Sequence, residues 1–424
     1  MNSSKTTPDC RETLIDSYKR VRARTDSLCA TLEAEDMVIQ SMPDVSPLKW
    51  HVAHVTWFFE VMVLMRTERN YEVYHERFTE IFNSYYQAVG SPFSRARRGM
   101  LSRPTVVQVQ AYRQHVDQAV LEFLSDATGA ELAEHGPTMT IGLNHEQQHQ
   151  ELMLMDIKHA FSVNPLAPIY APAAHTQPVT PTELQWIGFP GGTHEIGHGG
   201  NTFSFDNESP RHLARVGEFE LASRTVTCGE YLGFIADGGY ERPELWLADG
   251  WDLVRSGKLK RPEYWSADMD LPQVWTLNGM RPIDPAEPVC HVSYYEADAY
   301  ATWAGARLPL ETEWELASSQ RGPNGALLED GTLHPTAADA PSHPDTPIQM
   351  IGGLWEWTSS PYTPYPGYKA FEGDLAEYNG KFMINQLVLR GGCCVTPKSH
   401  IRRTYRNFYY PHQRWMFSGI RLAR

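Results

Sequence analysis

Cysteine is scarce: the 424 residues hold six, Cys10, Cys29, Cys228, Cys290, Cys393 and Cys394, with no C-x-x-C repeat. A disulfide framework or a thiolate zinc site is therefore not expected. Long apolar runs are missing too. None approaches the roughly 18 residues needed to span a bilayer, and the opening MNSSKTTPDCRETLIDSYKR lacks the apolar core of a signal peptide. These absences predict a cytoplasmic protein with no membrane partner. Basic charge is in deficit, with 37 Lys and Arg against 51 Asp and Glu and a formal net charge of −14, which argues against nucleic acid and anionic lipid as partners. No tandem repeat signals a solenoid or propeller. What is present, 42% hydrophobic, 21% charged and 11% aromatic residues, is the balance of a folded protein. At roughly 150 residues per domain the length predicts two or three domains, with small molecules as partners.

The sequence changes texture part-way along. From about 9 to 162 it reads as helices, with apolar residues three and four apart and few glycines. Ser46-Pro47 is the expected start of one helix, a cap followed by proline at the first helical position. A second is expected from Glu72 to Val89, stopped at Gly90. A third follows Pro104, and a fourth runs from about Thr138 to Phe161. Residues 1–164 therefore predict a four-helix bundle. Five prolines, at 165, 168, 172, 178 and 181, mark 165–181 as an extended linker. Residues 182–424 carry short β-prone pieces between Gly, Pro and Asn, plus a capping box at Ser293 opening a helix that ends near Gly305. This half reads as irregular α+β, so the fold class is α followed by α+β.

Histidine supplies the first chemical clue. In Asn144-His-Glu-Gln-Gln-His-Gln-Glu151, His145 and His149 are four apart and project from one helical face. Glu151 lies about 200° around the helix from His149 and cannot join them on one ion. A third ligand must come from another helix. In Trp50-His-Val-Ala-His-Val-Thr-Trp57, His54 sits near the middle of an apolar stripe with Trp50, Trp57 and Val61, whereas His51 falls nearer its edge. His54, His145 and His149 are thus the expected metal ligands, inside the bundle, with coordination positions left for substrates. Imidazole alone leaves zinc, copper, iron and nickel open. Gln148, beside His149, could hydrogen-bond a ligand, or serve as an ordinary polar contact.

Taken together, the pattern resembles a known family. The histidine-bearing bundle resembles the DinB-like domain of the ergothioneine-pathway sulfoxide synthases, the EgtB family. The second half resembles their formylglycine-generating-enzyme-like domain, of the C-type-lectin-like class. The residues that carry this are Arg307-Leu-Pro-Leu-Glu-Thr-Glu-Trp-Glu315, Gly353-Leu-Trp-Glu-Trp-Thr-Ser-Ser360, Leu389-Arg-Gly-Gly392 and Phe417-Ser-Gly-Ile-Arg-Leu-Ala-Arg424. The resemblance implies one non-haem Fe(II) held by three histidines, joining the thiol of cysteine, or of γ-glutamylcysteine, to C2 of the hercynine imidazole with O2 as co-substrate. It implies an active-site tyrosine at Tyr86 or Tyr85, and the Tyr-Tyr pair resembles the cysteine-using subgroup. It also implies that Arg95 and Arg98 of Ser94-Arg-Ala-Arg-Arg98 bind the thiol substrate's carboxylate. Asn407, Phe408 and Tyr409 are implied as contacts for the trimethylammonium of hercynine, a cation that aromatic faces can hold.

Three rival readings follow from the same residues. A formylglycine-generating oxidase needs a cysteine pair after the Arg-Gly-Gly motif, at offsets where this chain has Thr396 and Ile401. Cys393 and Cys394 are adjacent and displaced from those offsets, which argues against it. An ovothiol-type enzyme would join cysteine to histidine itself. A metal-stabilised scaffold would bind a quaternary amine without turnover.

Overall fold

The computed structural model describes residues 7–172, 182–320, 324–338 and 345–424, with side chains from residue 11. The chain divides into two compact units, Met1–Tyr170 with Phe371–Tyr378, and Ala171–Ala370 with Asn379–Arg424. The segment Phe371–Tyr378 belongs to the first unit although it lies within the 182–424 stretch expected to form the second half. Linker prolines 178 and 181 lie outside the described residues. Within the described part, Tyr170 donates to the Leu28 carbonyl at 2.8 Å, which ties this stretch to the first unit.

The first unit contains α1 (Thr7–Cys29), α2 (Leu48–Met62), a single turn α3 (Phe78–Ile81), α4 (Val106–Asp126) and α5 (Gly129–Ser162). α1 packs on α4 and α5, and α2 packs on the same pair. Every residue of α2 is buried, including Lys49, His51, His54, Thr56 and Glu60, so this helix is the unit's centre. Capping boxes at Thr105 with Gln108 and at Thr128 with Glu131 start α4 and α5. α2 and α5 approach closely because position 142 has no side chain. A Cβ on Gly142 would stand 2.7 Å from the Phe59 ring and 2.9 Å from that of Phe58.

Three helix expectations differ from what is found. Pro47, not Ser46, caps α2, and its carbonyl accepts from Trp50 and His51 at 2.9 and 3.2 Å. The Ser46 hydroxyl instead accepts from Arg98 at 3.0 Å. The expected 72–89 helix shrinks to α3, because other partners claim its backbone. Buried Glu60 accepts from the Tyr71 hydroxyl at 2.8 Å and the Tyr74 amide at 3.0 Å. Beyond α3, Asn83 bonds the Tyr86 amide and the Tyr86 and Gly90 carbonyls, folding 83–90 around one side chain. In the other direction, α5 begins nine residues before Thr138 and carries Pro137 inside it. Gly136 precedes that proline and has no Cβ to clash with its ring, which eases the usual restriction.

The bundle interior also holds a charged cluster. Fully buried Glu146 receives Arg22 and Arg113, both at 2.9 Å, and the Thr25 hydroxyl at 2.7 Å. Although burial opposes its charge, the two guanidiniums and their hydrogen bonds hold the carboxyl down at about 2.

The second unit is built from short hairpins around one mixed sheet. β1 (Trp186–Phe189), β2 (Gly192–Ile196), β3 (His212–Val216) and β4 (Phe219–Ala222) precede α6 (Cys228–Ala236) and α7 (Ala248–Arg255). Then come β5 (Gln273–Thr276), β6 (Gly279–Pro282), α8 (Tyr294–Trp303) and α9 (Glu311–Ala317). β7 (Trp355–Pro361), β8 (Leu387–Arg390), β9 (Asn407–Tyr409) and β10 (Ser418–Gly419) form a sheet ordered β10-β7-β8-β9, with β10 parallel to β7. β1 pairs with β4, β2 with β3 and β5 with β6, all antiparallel. α8 starts at the Ser293 capping box as expected.

The four sequence motifs of this half are one another's buried partners. Arg390 bonds Glu311 and Glu315, both at 2.7 Å. Glu356 bonds Arg421 at 2.7 and 2.8 Å and accepts from the Trp314 indole at 2.7 Å. Buried charges need such partners, which explains why these residue types recur together in the sequence.

Candidate metal centre

Two tryptophans of α2 hold the turn beside it: the Trp50 indole donates to the Ile81 carbonyl at 2.9 Å and the Trp57 indole to the Thr79 carbonyl at 3.1 Å. That brings the next carbonyl, Phe82, within 2.6 Å of His54 Nδ1. A carbonyl can only accept, so His54 carries its proton on Nδ1 and leaves Nε2 bare. From α5, His145 brings its Nε2 to 3.2 Å from that nitrogen. His149, one turn further, has Nδ1 engaged with His51 Nδ1 at 2.8 Å. His54, His145 and His149 are all buried, and each offers a ring nitrogen within 4.8 Å of the other two.

These residues fit a metal ion. Two nitrogens each bound at about 2.1 Å near a right angle stand roughly 3 Å apart, close to the 3.2 Å between His54 and His145. Buried His145 Nδ1 has no hydrogen-bond partner, so its ring is not there to complete a polar network. All three rings stay neutral, as ligands must. Burial lowers His54 most, helped by His145, and lowers His149 with help from the neighbouring rings; His145 falls to about 3, chiefly from burial.

Other expected site residues lie around this triad. Arg98 lies face-on 3.3 Å above the Trp50 ring, which stacks on His54 at 4.7 Å. Its guanidinium is buried, reaches the Ser46 and Ser84 hydroxyls at 3.0 and 3.2 Å, and leaves Nε without a partner. Burial and nearby Arg95 push its pKa down, against the opposing pull of the Asp156 carboxylate. Arg95 is different: it is exposed and donates to the Asp44 carbonyl.

Trp57 stacks on Tyr86 at 5.6 Å, and Tyr86 on Tyr85 at 4.5 Å. Tyr86 is fully buried and its hydroxyl is 3.5 Å from that of Tyr85; burial raises its pKa well above the ordinary phenol value. Gln148 Oε1 accepts from the Tyr378 hydroxyl at 2.6 Å, and the Tyr378 ring lies 6.0 Å from that of His145. The segment carrying Tyr378 is fixed by Arg66 to Asp374 at 2.5 Å and by the Ala88 amide to Glu377 at 2.9 Å.

In the second unit, Asn407, Phe408 and Tyr409 follow one another along β9. Side chains alternate on a strand, so Asn407 and Tyr409 share one face. Phe408 takes the other, flat against Tyr362 at 4.0 Å. The three therefore do not line one surface.

The chain matches the DinB superfamily over residues 17–159 and the sulfatase-modifying factor enzyme 1-like domain over residues 170–346 and 346–424. It is 32% identical over 449 residues to the hercynine oxygenase of Mycolicibacterium smegmatis, spanning 97% of this chain and 99% of the relative. The chain belongs to the hercynine oxygenase, or EgtB, family. A second EgtB relative, the hercynine oxygenase of Mycobacterium tuberculosis, is 32% identical over 438 residues, 95% of this chain and 96% of the relative. The formylglycine-generating enzyme of Mycobacterium tuberculosis is 29% identical over 231 residues, 43% of this chain and 76% of that protein. The fold class expected from sequence, a DinB-like helical domain followed by a C-type-lectin-like domain, is the one found. At the offsets where the formylglycine-generating oxidases carry their cysteine pair, this EgtB chain has Thr396 and Ile401. Thr396 Oγ accepts the Cys393 amide at 2.8 Å. No helix among the described residues is long and apolar enough to cross a membrane.

Sequence reasoning sets His51 nearer the edge of its stripe, whereas it is buried against His149, and it misses Asp156 and Tyr378. Asp156 was findable, standing seven residues after His149 on the same face of α5. Tyr378 was not, because nothing in its neighbourhood marks it.

Proposed function

We infer that this EgtB-family chain is an O2-dependent, non-haem iron(II) sulfoxide synthase that joins the thiol of cysteine to C2 of the hercynine imidazole. The reaction balances without an outside reductant: the C2–H and S–H bonds break, a C–S bond forms, one oxygen atom goes to sulfur and the other leaves as water. The observation that carries the reading is the convergence of three buried neutral imidazoles from α2 and α5, with two nitrogens 3.2 Å apart. Its support from outside the chain is the full-length similarity to proteins named hercynine oxygenase. His54, His145 and His149 would hold a ferrous ion, which would supply the redox chemistry with dioxygen.

The chain's own residues would do the rest. Arg98, buried beside the metal-ligand helix, takes the carboxylate of the thiol substrate, and the two serines and Trp50 hold its guanidinium in place. Arg95, exposed, adds long-range attraction at most. For the proton we favour Tyr378 over Tyr86 and Tyr85: its ring lies 6.0 Å from that of His145, and Gln148 orients its hydroxyl. Within the second unit, Asn407 and Tyr409 on one face of β9 offer a surface for a quaternary ammonium, with Phe408 packed behind them on Tyr362.

Oxygen uptake by iron-loaded protein, given hercynine or histidine together with cysteine or γ-glutamylcysteine, tests the reading. Uptake that needs hercynine and cysteine, yielding the sulfoxide mass, is expected. Uptake with histidine replaces it by the ovothiol reaction, preference for γ-glutamylcysteine changes the donor, and no uptake with any pair refutes it.

A further inference from the structure

The cluster holds a fourth histidine whose two ring nitrogens are both engaged. His51 lies three residues before His54, fully inside the bundle. Its Nδ1 is 2.8 Å from His149 Nδ1, and its Nε2 is 2.9 Å from Asp156 Oδ2. The same carboxylate oxygen accepts the Ser46 backbone amide at 2.8 Å, so Asp156 is anchored from outside α5.

Counting protons along this chain gives it a direction. A carboxylate accepts, so His51 Nε2 carries a proton. Two N–H groups cannot face each other at 2.8 Å, so only one of the two Nδ1 atoms is protonated. Were His51 an imidazolium, His149 Nδ1 would have to be bare, and the His149 proton would sit on Nε2, covering the lone pair that a metal needs. A neutral His51 accepts from His149 Nδ1–H and leaves His149 Nε2 bare. Of the two arrangements, only the one in which His51 accepts leaves His149 Nε2 free to face His54 and His145, the two rings it converges with.

We propose that His51 and Asp156 are positioning residues that lock His149 in its metal-binding tautomer and raise the basicity of its Nε2. The proposal rests on the metal-centre reading above. It separates the three ligands by their outer support: His54 is oriented by a neutral carbonyl, His145 Nδ1 has no partner, and only His149 is tied through a second ring to an anion. An anionic partner polarises the imidazole more than a carbonyl does, so His149 is the strongest donor of the three.

The test is anaerobic iron(II) affinity, measured by competition with a chromophoric chelator on the full chain and on His51→Phe, His51→Gln, Asp156→Asn and His149→Ala. Loss of an outer partner typically weakens metal binding by about 10- to 100-fold, and that loss is expected for His51→Phe. Asp156→Asn should fall at the lower end. His51→Gln should recover most of the affinity, because one amide can accept from His149 and donate to Asp156. A merely structural role would lower the thermal midpoint of the metal-free protein without this pattern of rescue. The direct signature is a slowly exchanging His149 Nδ1 proton in the NMR spectrum of zinc(II)-loaded, 15N-histidine-labelled protein, absent in His51→Phe. Should His51→Phe fail to fold, the nearly isosteric Asp156→Asn carries the test alone. Parental affinity in His51→Phe and Asp156→Asn, with binding lost in His149→Ala, overturns the relay and leaves the ligand set standing. Full binding in His149→Ala overturns both.

Discussion

Gly142 of α5 and Phe59 of α2 are in contact with no room between them: a methyl group at 142 would lie 2.7 Å from the aromatic ring. His145 sits three residues after that glycine, and His54 five residues before that phenylalanine. The separation of the two helices at this point sets the distance between their histidines. Gly142→Ala should therefore cost stability by about 1–3 kcal/mol, the usual range for an overpacked core. It should also weaken iron binding, although no ligand is touched. Denaturant unfolding and metal affinity, measured together, check both effects.

Arg98 makes the opposite prediction for stability. A guanidinium buried on Trp50, where desolvation and Arg95 outweigh the help from Asp156, is unfavourable in the free protein. Arg98→Met should leave the metal-free fold as stable or more so. It should raise the KM for the thiol by about 10- to 100-fold, since charge-assisted hydrogen bonds are worth roughly 1.5–3 kcal/mol. Thermal melts beside steady-state kinetics would separate the two effects.

The phenols can be ranked. Tyr378→Phe removes the hydroxyl held by Gln148 at 2.6 Å, and should slow sulfoxide formation by about 100-fold or divert thiol oxidation to another product, as loss of a general acid does. Iron should remain bound. Tyr86→Phe loses only a 3.5 Å contact with Tyr85 and should change the rate less. Product analysis of both variants decides the order.

Acid stability follows from Glu146. Its carboxyl is held at about 2 against an ordinary value of 4.5. The protection is complete above about 4.5 and disappears as pH falls through the folded value, because protonation removes the charge that Arg22 and Arg113 share. Glu146→Gln should flatten the loss of stability between those limits, seen as a smaller shift in denaturation midpoint from pH 5 to pH 3.

Much of this was legible in the sequence. The convergence of His54, His145 and His149 follows from helical spacing plus one apolar stripe, because periodicity reports which side chains point inward. The short turn at Phe78–Ile81 was not legible. Its fate depends on Glu60 and Asn83, whose side chains compete for backbone groups in ways that pattern alone does not encode. The start of α5 at Gly129 was not legible either: Pro137 stands inside the helix, and Gly136 has no Cβ to clash with its ring. Tyr378 was invisible because a segment more than 200 residues beyond the bundle supplies it. The Ser46 hydroxyl was read as a cap, when burial of Arg98 gave it a stronger claimant.

The most direct test is anaerobic equilibrium dialysis of iron(II) against the parent chain and His54→Ala, His145→Ala and His149→Ala. The parent should retain one ferrous ion per chain, and each single variant should lose it while keeping its helical content. Full iron in any one of the three would remove that histidine from the ligand set and contradict the account.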